Sequence, residues 1–200
     1  MSDRETQLDR MHDRYHRHGD FAQSYFRYLG EVLSNVKSES LAEMIIALRG
    51  ARIRGMAVYF FGNGGKAALA DEWANDLSVA ITPGLRAYSL AANAAALTGV
   101  GNDHGYEAIF ERQLRVLAQP GDIAVGLSGS GQSENVINAI RAAEEMGLRT
   151  IAMTGSDGGG LRGMASINVH VPTEPDDGPI EDAFMAILHM TVSRLKRLPK

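Results

Sequence analysis

Twice along this chain a short apolar run rich in aromatic and β-branched residues stops at a glycine-rich loop and gives way at once to a helical pattern. The first copy runs from Met56 to Phe61, through Gly62-Asn63-Gly64-Gly65, into helically spaced apolar positions from Lys66 to Val79. The second runs from Asp122 to Leu127, through Ser128-Gly129-Ser130-Gly131-Gln132-Ser133, into a helix from Glu134 to Met146 that ends at Gly147. Leu85 to Leu90, Thr150 to Thr154 and Ile167 to Val171 read as further strands, and Ile180 to Leu195 as a last long helix. Strands alternating with helices of this length predict an α/β fold, a parallel central sheet covered by helices on both faces. In such sheets ligands sit beyond the carboxyl ends of the strands, where both glycine-rich loops lie. The pattern recurs too loosely for a repeat architecture.

Ahead of the first strand the chain is helical. Phe21, Tyr25, Tyr28, Leu29, Val32 and Leu33 share one face of an amphipathic helix. Leu41, Met44, Ile45 and Leu48 mark a second helix reaching Arg52, with Ser40 as its cap. Residues 2 to 18 are polar, and the cluster of His12, His16 and His18 reads as a solvated, frayed helix start rather than a metal site. Two hundred residues, 44% of them hydrophobic, suffice for one domain, with residues 1–54 as an N-terminal helical segment and 55–200 as the α/β core.

A net charge of -4 gives no global attraction to nucleic acid or to an anionic membrane, so any phosphate must be held locally. The absence of cysteine excludes disulfides and thiolate metal sites and suits a reducing cytoplasm. No apolar run is long enough to cross a membrane, and a cytoplasmic protein is expected.

In the second loop the hydroxyls of Ser128, Ser130 and Ser133 alternate with Gly129 and Gly131 just where a helix begins. The first N–H groups of a helix lack intrahelical partners, and its dipole favours an anion there, so this loop suits a compact phosphate monoester without needing a lysine. The competing reading is that Ser133 only caps the helix and the glycines only turn the chain. Two other phosphate motifs fail on spacing. Phe60 and Ala67 stand where a Walker A loop needs glycine and Ser/Thr, and Gly126-Leu127-Ser128-Gly129-Ser130-Gly131 is not the G-x-G-x-x-G of a dinucleotide site.

Phe61-Gly62-Asn63-Gly64-Gly65, Val100-Gly101-Asn102-Asp103, Leu127 to Ser133 and Met153-Thr154-Gly155-Ser156-Asp157-Gly158-Gly159 occur in the order found in the sugar isomerase (SIS) family, and the chain resembles its phosphoheptose isomerase branch. The resemblance implies a flavodoxin-like three-layer α-β-α sandwich, a homotetramer packed through the N-terminal helices, and active sites shared between subunits. It also implies a sugar phosphate held by Ser128, Gly129, Ser130 and Ser133, with Asn63 and Gly64 near the sugar and Thr154 lining the site.

Glu72 and Asp76 are one helical turn apart, and Glu181 and His189 fall on roughly one face of the last helix. A carboxylate and an imidazole suit the base and acid of an aldose-ketose isomerase working through an enediol. Read singly, the acids make an ordinary solvated helix face and His189 a core histidine. The resemblance assigns these four positions to a zinc site and to the acid and base pair, usually as histidine, glutamate, glutamine and histidine. Here they are Glu72, Asp76, Glu181 and His189, an oxygen-rich set suited to zinc, manganese or magnesium. Asp76 or Glu72 is then the base and His189 the acid. Lys66 replaces a common serine beside the phosphate, Asn93 replaces a common aspartate near the substrate, and Gly178-Pro179 replaces an Asp-Arg stretch. Asp157-Gly158-Gly159-Gly160 reads as a turn, and His104 as a further candidate near the pocket. The expected activity is interconversion of sedoheptulose 7-phosphate and D-glycero-D-manno-heptose 7-phosphate. A different sugar phosphate, or a non-catalytic sugar-phosphate-binding protein resembling replication regulators, are the alternatives.

Overall fold

The computed structural model describes residues 5–198. Five parallel strands form one sheet in the order β2-β1-β3-β4-β5, with β1 at Ala57–Gly62, β2 at Arg86–Ser89, β3 at Ile123–Ser128, β4 at Arg149–Thr154 and β5 at Ile167–His170. All five match the expected strands to within a residue or two. β1 and β3 are wholly buried, as strands covered on both faces must be. Along β1 the side chains alternate between two cores. Val58 and Phe60 enter one with Trp73, Leu77, Phe184 and Leu188, while Ala57, Tyr59 and Phe61 enter the other with Phe110, Val136 and Ile140. Burying each large apolar side chain contributes about 1.5–3 kcal/mol, which makes these two layers the main source of stability.

The helices are α1 (Gln7–Arg14), α2 (His18–Ser34), α3 (Ser38–Arg54), α4 (Gly65–Val79), α5 (Ala94–His104), α6 (Glu111–Leu117), α7 (Glu134–Glu145) and α8 (Asp177–Leu195). Several differ from the sequence expectation. The N-terminal segment is not a frayed start, because Thr6 and Asp9 close a capping box on α1 and Met11 is buried. Ser40 lies inside α3 rather than capping it, and α3 stops at Gly55, whose φ of 67° suits glycine. α5 and α6 carry too little apolar periodicity to read from sequence, and α5 buries no residue. Gly178-Pro179 does not precede the last helix but forms part of the first turn of α8, where proline is tolerated.

Gly126 in β3 sets the closeness of α7. A Cβ there would meet Val136 Cγ1 at 2.8 Å, with Ile140 and Phe61 at 3.2 Å. Gly126→Ala is therefore expected to destabilise the fold by about 1–3 kcal/mol through overpacking. Scanning calorimetry should show a fall in Tm of roughly 2–10 °C; an unchanged Tm would mean that α7 moves away without cost.

Candidate active site

In a sheet of this strand order the chain reverses its direction of winding between β1 and β3, and the crevice outside their carboxyl ends is where ligands bind. Both glycine-rich loops leave the sheet at that point. Asn63, Lys66, Leu127, Ser128, Gly129, Ser130, Ser133 and Asp177 line a cavity there of about 240 Å³. Five of the predicted phosphate and sugar residues, Asn63, Ser128, Gly129, Ser130 and Ser133, thus share one pocket with Lys66.

Ser128 is buried at the end of β3, and its Oγ accepts the Gly131 N–H at 3.0 Å and donates to Ser133 Oγ at 3.1 Å. Ser130 Oγ accepts the Gln132 N–H at 3.2 Å. Ser133 occupies the N-cap of α7, yet its side chain makes no capping bond. The hydroxyl that the capping alternative would have consumed faces the pocket with Ser128, and the start of α7 supplies N–H groups and a favourable dipole to an anion.

Next to this cavity a second one, of about 280 Å³, shares Asn63 and Ser133 with it and adds Tyr106, Glu107, Glu134 and Asn135. Asn63 and Asn135 exchange two amide bonds, Nδ2 to Oδ1 at 2.8 and 2.9 Å, and the Tyr106 hydroxyl donates to Asn63 Oδ1 at 2.9 Å. Sequence reading did not single out Asn135, although it lies on the stripe of α7 that carries Ala139 and Ala142, where a polar residue needs a partner. Nor did it assign Tyr106. His104 ends α5 and is exposed.

Glu72, Asp76 and His189 bring one ligand atom each to within 4.8 Å of one another, two carboxylates from α4 and an imidazole from α8. Such an oxygen and nitrogen set fits a divalent cation. Glu181 is not in this group. Its Oε1 lies 2.9 Å from Lys66 Nζ, and Asp177 is ion-paired to the same nitrogen. Lys66 is 8% exposed. Burial acts to lower its pKa, but the bonds from Asp177 and Glu181 outweigh that and raise it, so the ammonium is held charged.

Lys66 thus engages the fourth expected ligand apart from the other three. By helix rise, Glu72 and Asp76 lie roughly 9 and 15 Å beyond Lys66 along α4. His189 lies about 12 Å beyond Glu181 along α8. The two helices therefore run side by side in the same direction, with the serine loop near their starts and the acid cluster further on.

Two predicted site residues do not line the serine-loop cavity. Thr154 is buried with its Oγ1 3.0 Å from His170 Nδ1, and burial lowers the His170 pKa, as do Arg162 and Lys37 nearby. Asn93 caps α5, accepting the Ala96 N–H at 3.1 Å, and lines a separate apolar hollow with Ala96, Val100 and Val116. The side chain that the family resemblance placed near the substrate is used for helix capping.

Residues 24–155 match the SIS domain family model. The phosphoheptose isomerase of Syntrophotalea carbinolica is 36% identical over 88% of this chain and 92% of its own length. Among solved structures, a phosphoheptose isomerase from Francisella tularensis superposes with a TM-score of 0.81 at 25% identity, covering 91% of this chain and all of its own. One from Neisseria gonorrhoeae gives 0.80 at 28% identity, covering 90% and 99%.

Proposed function

The chain belongs to the SIS domain family, in its phosphoheptose isomerase branch, and we propose that it interconverts sedoheptulose 7-phosphate and D-glycero-D-manno-heptose 7-phosphate through an enediol. The observation that carries this reading is the pairing of an anion cradle, Ser128 to Ser133, with a carboxylate and imidazole cluster further along the same helix pair. The axial offset between them suits a long sugar, whose phosphate and carbonyl ends lie far apart.

Ser128, Ser130 and Ser133 with the Gly129 amide hold the phosphoryl group, and Asn63 and Gly64 meet the sugar hydroxyls. Asp76 or Glu72 takes the proton from C1 of the ketose, and the C1–H electron pair becomes the C1–C2 double bond. The carbonyl π electrons move to O2, which takes a proton from His189. Return of a proton to C2 and loss of the one on O1 yields the aldehyde at C1, with no net change in atoms or electrons. Glu72, Asp76 and His189 would hold a divalent cation, zinc in the family's pattern, whose chemistry when bound is to polarise the carbonyl. Thr154, in register with Ser128 at the end of β4, remains in this reading as a residue that supports the pocket wall, and Asn93 as the cap that holds the start of α5. Phe26, Ile46, Ile53 and Val79, large apolar side chains exposed on α2, α3 and α4, support a homotetramer built on the helical segment.

The withdrawal of Glu181 from the acid cluster favours one rival, a non-catalytic sugar-phosphate-binding protein. Incubation with sedoheptulose 7-phosphate, with and without zinc, manganese or magnesium, should yield aldose heptose 7-phosphate, resolved by chromatography. Tight binding with no product under any metal would decide for the rival.

A further inference from the structure

An anion pocket normally presents excess positive charge, yet the side chains around Lys66 sum to the opposite sign: one ammonium against the two carboxylates of Asp177 and Glu181. A phosphoryl group entering this arrangement unchanged meets net repulsion offset only by hydroxyls, amides and the α7 dipole. The two carboxylates are held very differently. Glu181 sits within α8 with its side chain 33% exposed, whereas Asp177 is the first residue of α8 and its side chain is 79% exposed. Asp177 nevertheless reaches into the serine loop: a Cβ on Gly129 would lie 3.2 Å from Asp177 Oδ1 and 3.3 Å from Lys66 Nζ, so both charged ends rest directly on the loop's backbone.

Resting on the reading that this loop binds a phosphoryl group, we infer that Asp177 is a built-in competitor for it, an internal carboxylate that occupies Lys66 in the empty pocket and swings out when a phosphorylated sugar binds. Removing Asp177 from Nζ leaves the neutral pair Lys66–Glu181 and turns a repulsive pocket into a receptive one. The exchange is cheap for the protein. Asp177, the exposed partner of the pair, returns to water at little cost, and a carboxylate in the first turn of a helix stays favourably placed near the positive end of the dipole. Lys66 gives up one oxygen partner and gains another, so its buried charge is never left alone. Asp177 would then set affinity and selectivity: a dianionic phosphate displaces it, and a neutral sugar cannot.

Calorimetric titration of the full chain with inorganic phosphate and with sedoheptulose 7-phosphate tests this. Asp177→Asn should bind both about three- to fivefold more tightly than the native chain, since a pair whose carboxylate is this exposed is worth about that factor when Lys66 keeps Glu181 as a second partner. The gain should largely vanish in Lys66→Met/Asp177→Asn. Asp176→Asn, one residue upstream and unbonded to Lys66, should bind as the native chain does. The inference is overturned if Asp177→Asn binds phosphate no more tightly while Ser130→Ala/Ser133→Ala still loses it, an outcome that leaves the phosphate cradle standing. It is equally overturned if the gain persists in full without Lys66, because the effect would then be plain repulsion. If no chain, native or variant, binds either phosphate, the cradle reading falls and this inference with it.

Discussion

Replacing Ser130 and Ser133 together by alanine is expected to weaken binding of sedoheptulose 7-phosphate by about two to four orders of magnitude while leaving the fold intact. Each hydroxyl that bonds a charged phosphoryl oxygen contributes about 1.5–3 kcal/mol, and tenfold in affinity corresponds to about 1.4 kcal/mol. The pair is chosen because each hydroxyl makes a single bond within the loop and none to the helix: Ser133 makes no capping bond and accepts only from Ser128 Oγ, and Ser130 accepts a single N–H. Ser128 is left in place, since its buried Oγ holds the Gly131 N–H and its loss would deform the loop. In steady-state kinetics the loss should fall mainly on KM, because phosphate contacts far from the reacting carbons act alike in ground and transition states. An affinity within twofold of the native value, measured on a variant with unchanged circular dichroism, would remove the basis of the proposed function.

The second large effect concerns the acid cluster. His189→Ala and Asp76→Asn are each expected to reduce kcat by about 10²- to 10⁴-fold, the usual contribution of a positioned acid or base. Sugar-phosphate affinity should change little, since both residues lie well along the helices from the serine loop. The same variants separate two versions of the cation site without using activity. Bound metal measured by mass spectrometry should fall for Glu72→Ala, Asp76→Ala and His189→Ala, which remove members of the convergent group. Glu181→Ala should retain metal, because its carboxylate is already engaged by Lys66. Loss of metal in Glu181→Ala as in the other three would restore the four-residue site that the family resemblance implied. Unchanged kcat in both His189→Ala and Asp76→Asn would leave the cluster without a catalytic role.

Much of the fold was legible because its signals are local. A run such as Met56 to Phe61, continuously apolar and closed by the glycines from Gly62 onward, reads as a strand covered on both faces, and the helical spacing that starts at Lys66 marks the helix directly. The serine loop was legible for the same reason, since hydroxyls and glycines before a helix carry their chemistry in their order. α5 was not, because it buries no residue and so lacks the apolar stripe on which such a reading depends. Asn135 and Tyr106 were missed as parts of the site because each acquires meaning only through Asn63, 72 and 43 residues away.

The chain's order of residues alone determined that this is a parallel α/β protein and that a loop of serines and glycines suited to an anion follows β3. Those properties live in residue type and short spacing, which no neighbour can alter. Only the tertiary structure decided that β1 and β3 lie side by side, so that two loops more than 60 residues apart open into one crevice. Packing α4 against α8 also decided the fate of Glu181. A lysine nearly shut off from water must keep a counter-charge within reach, and that requirement drew the carboxylate to Lys66 and away from the cluster that sequence register had assigned to it.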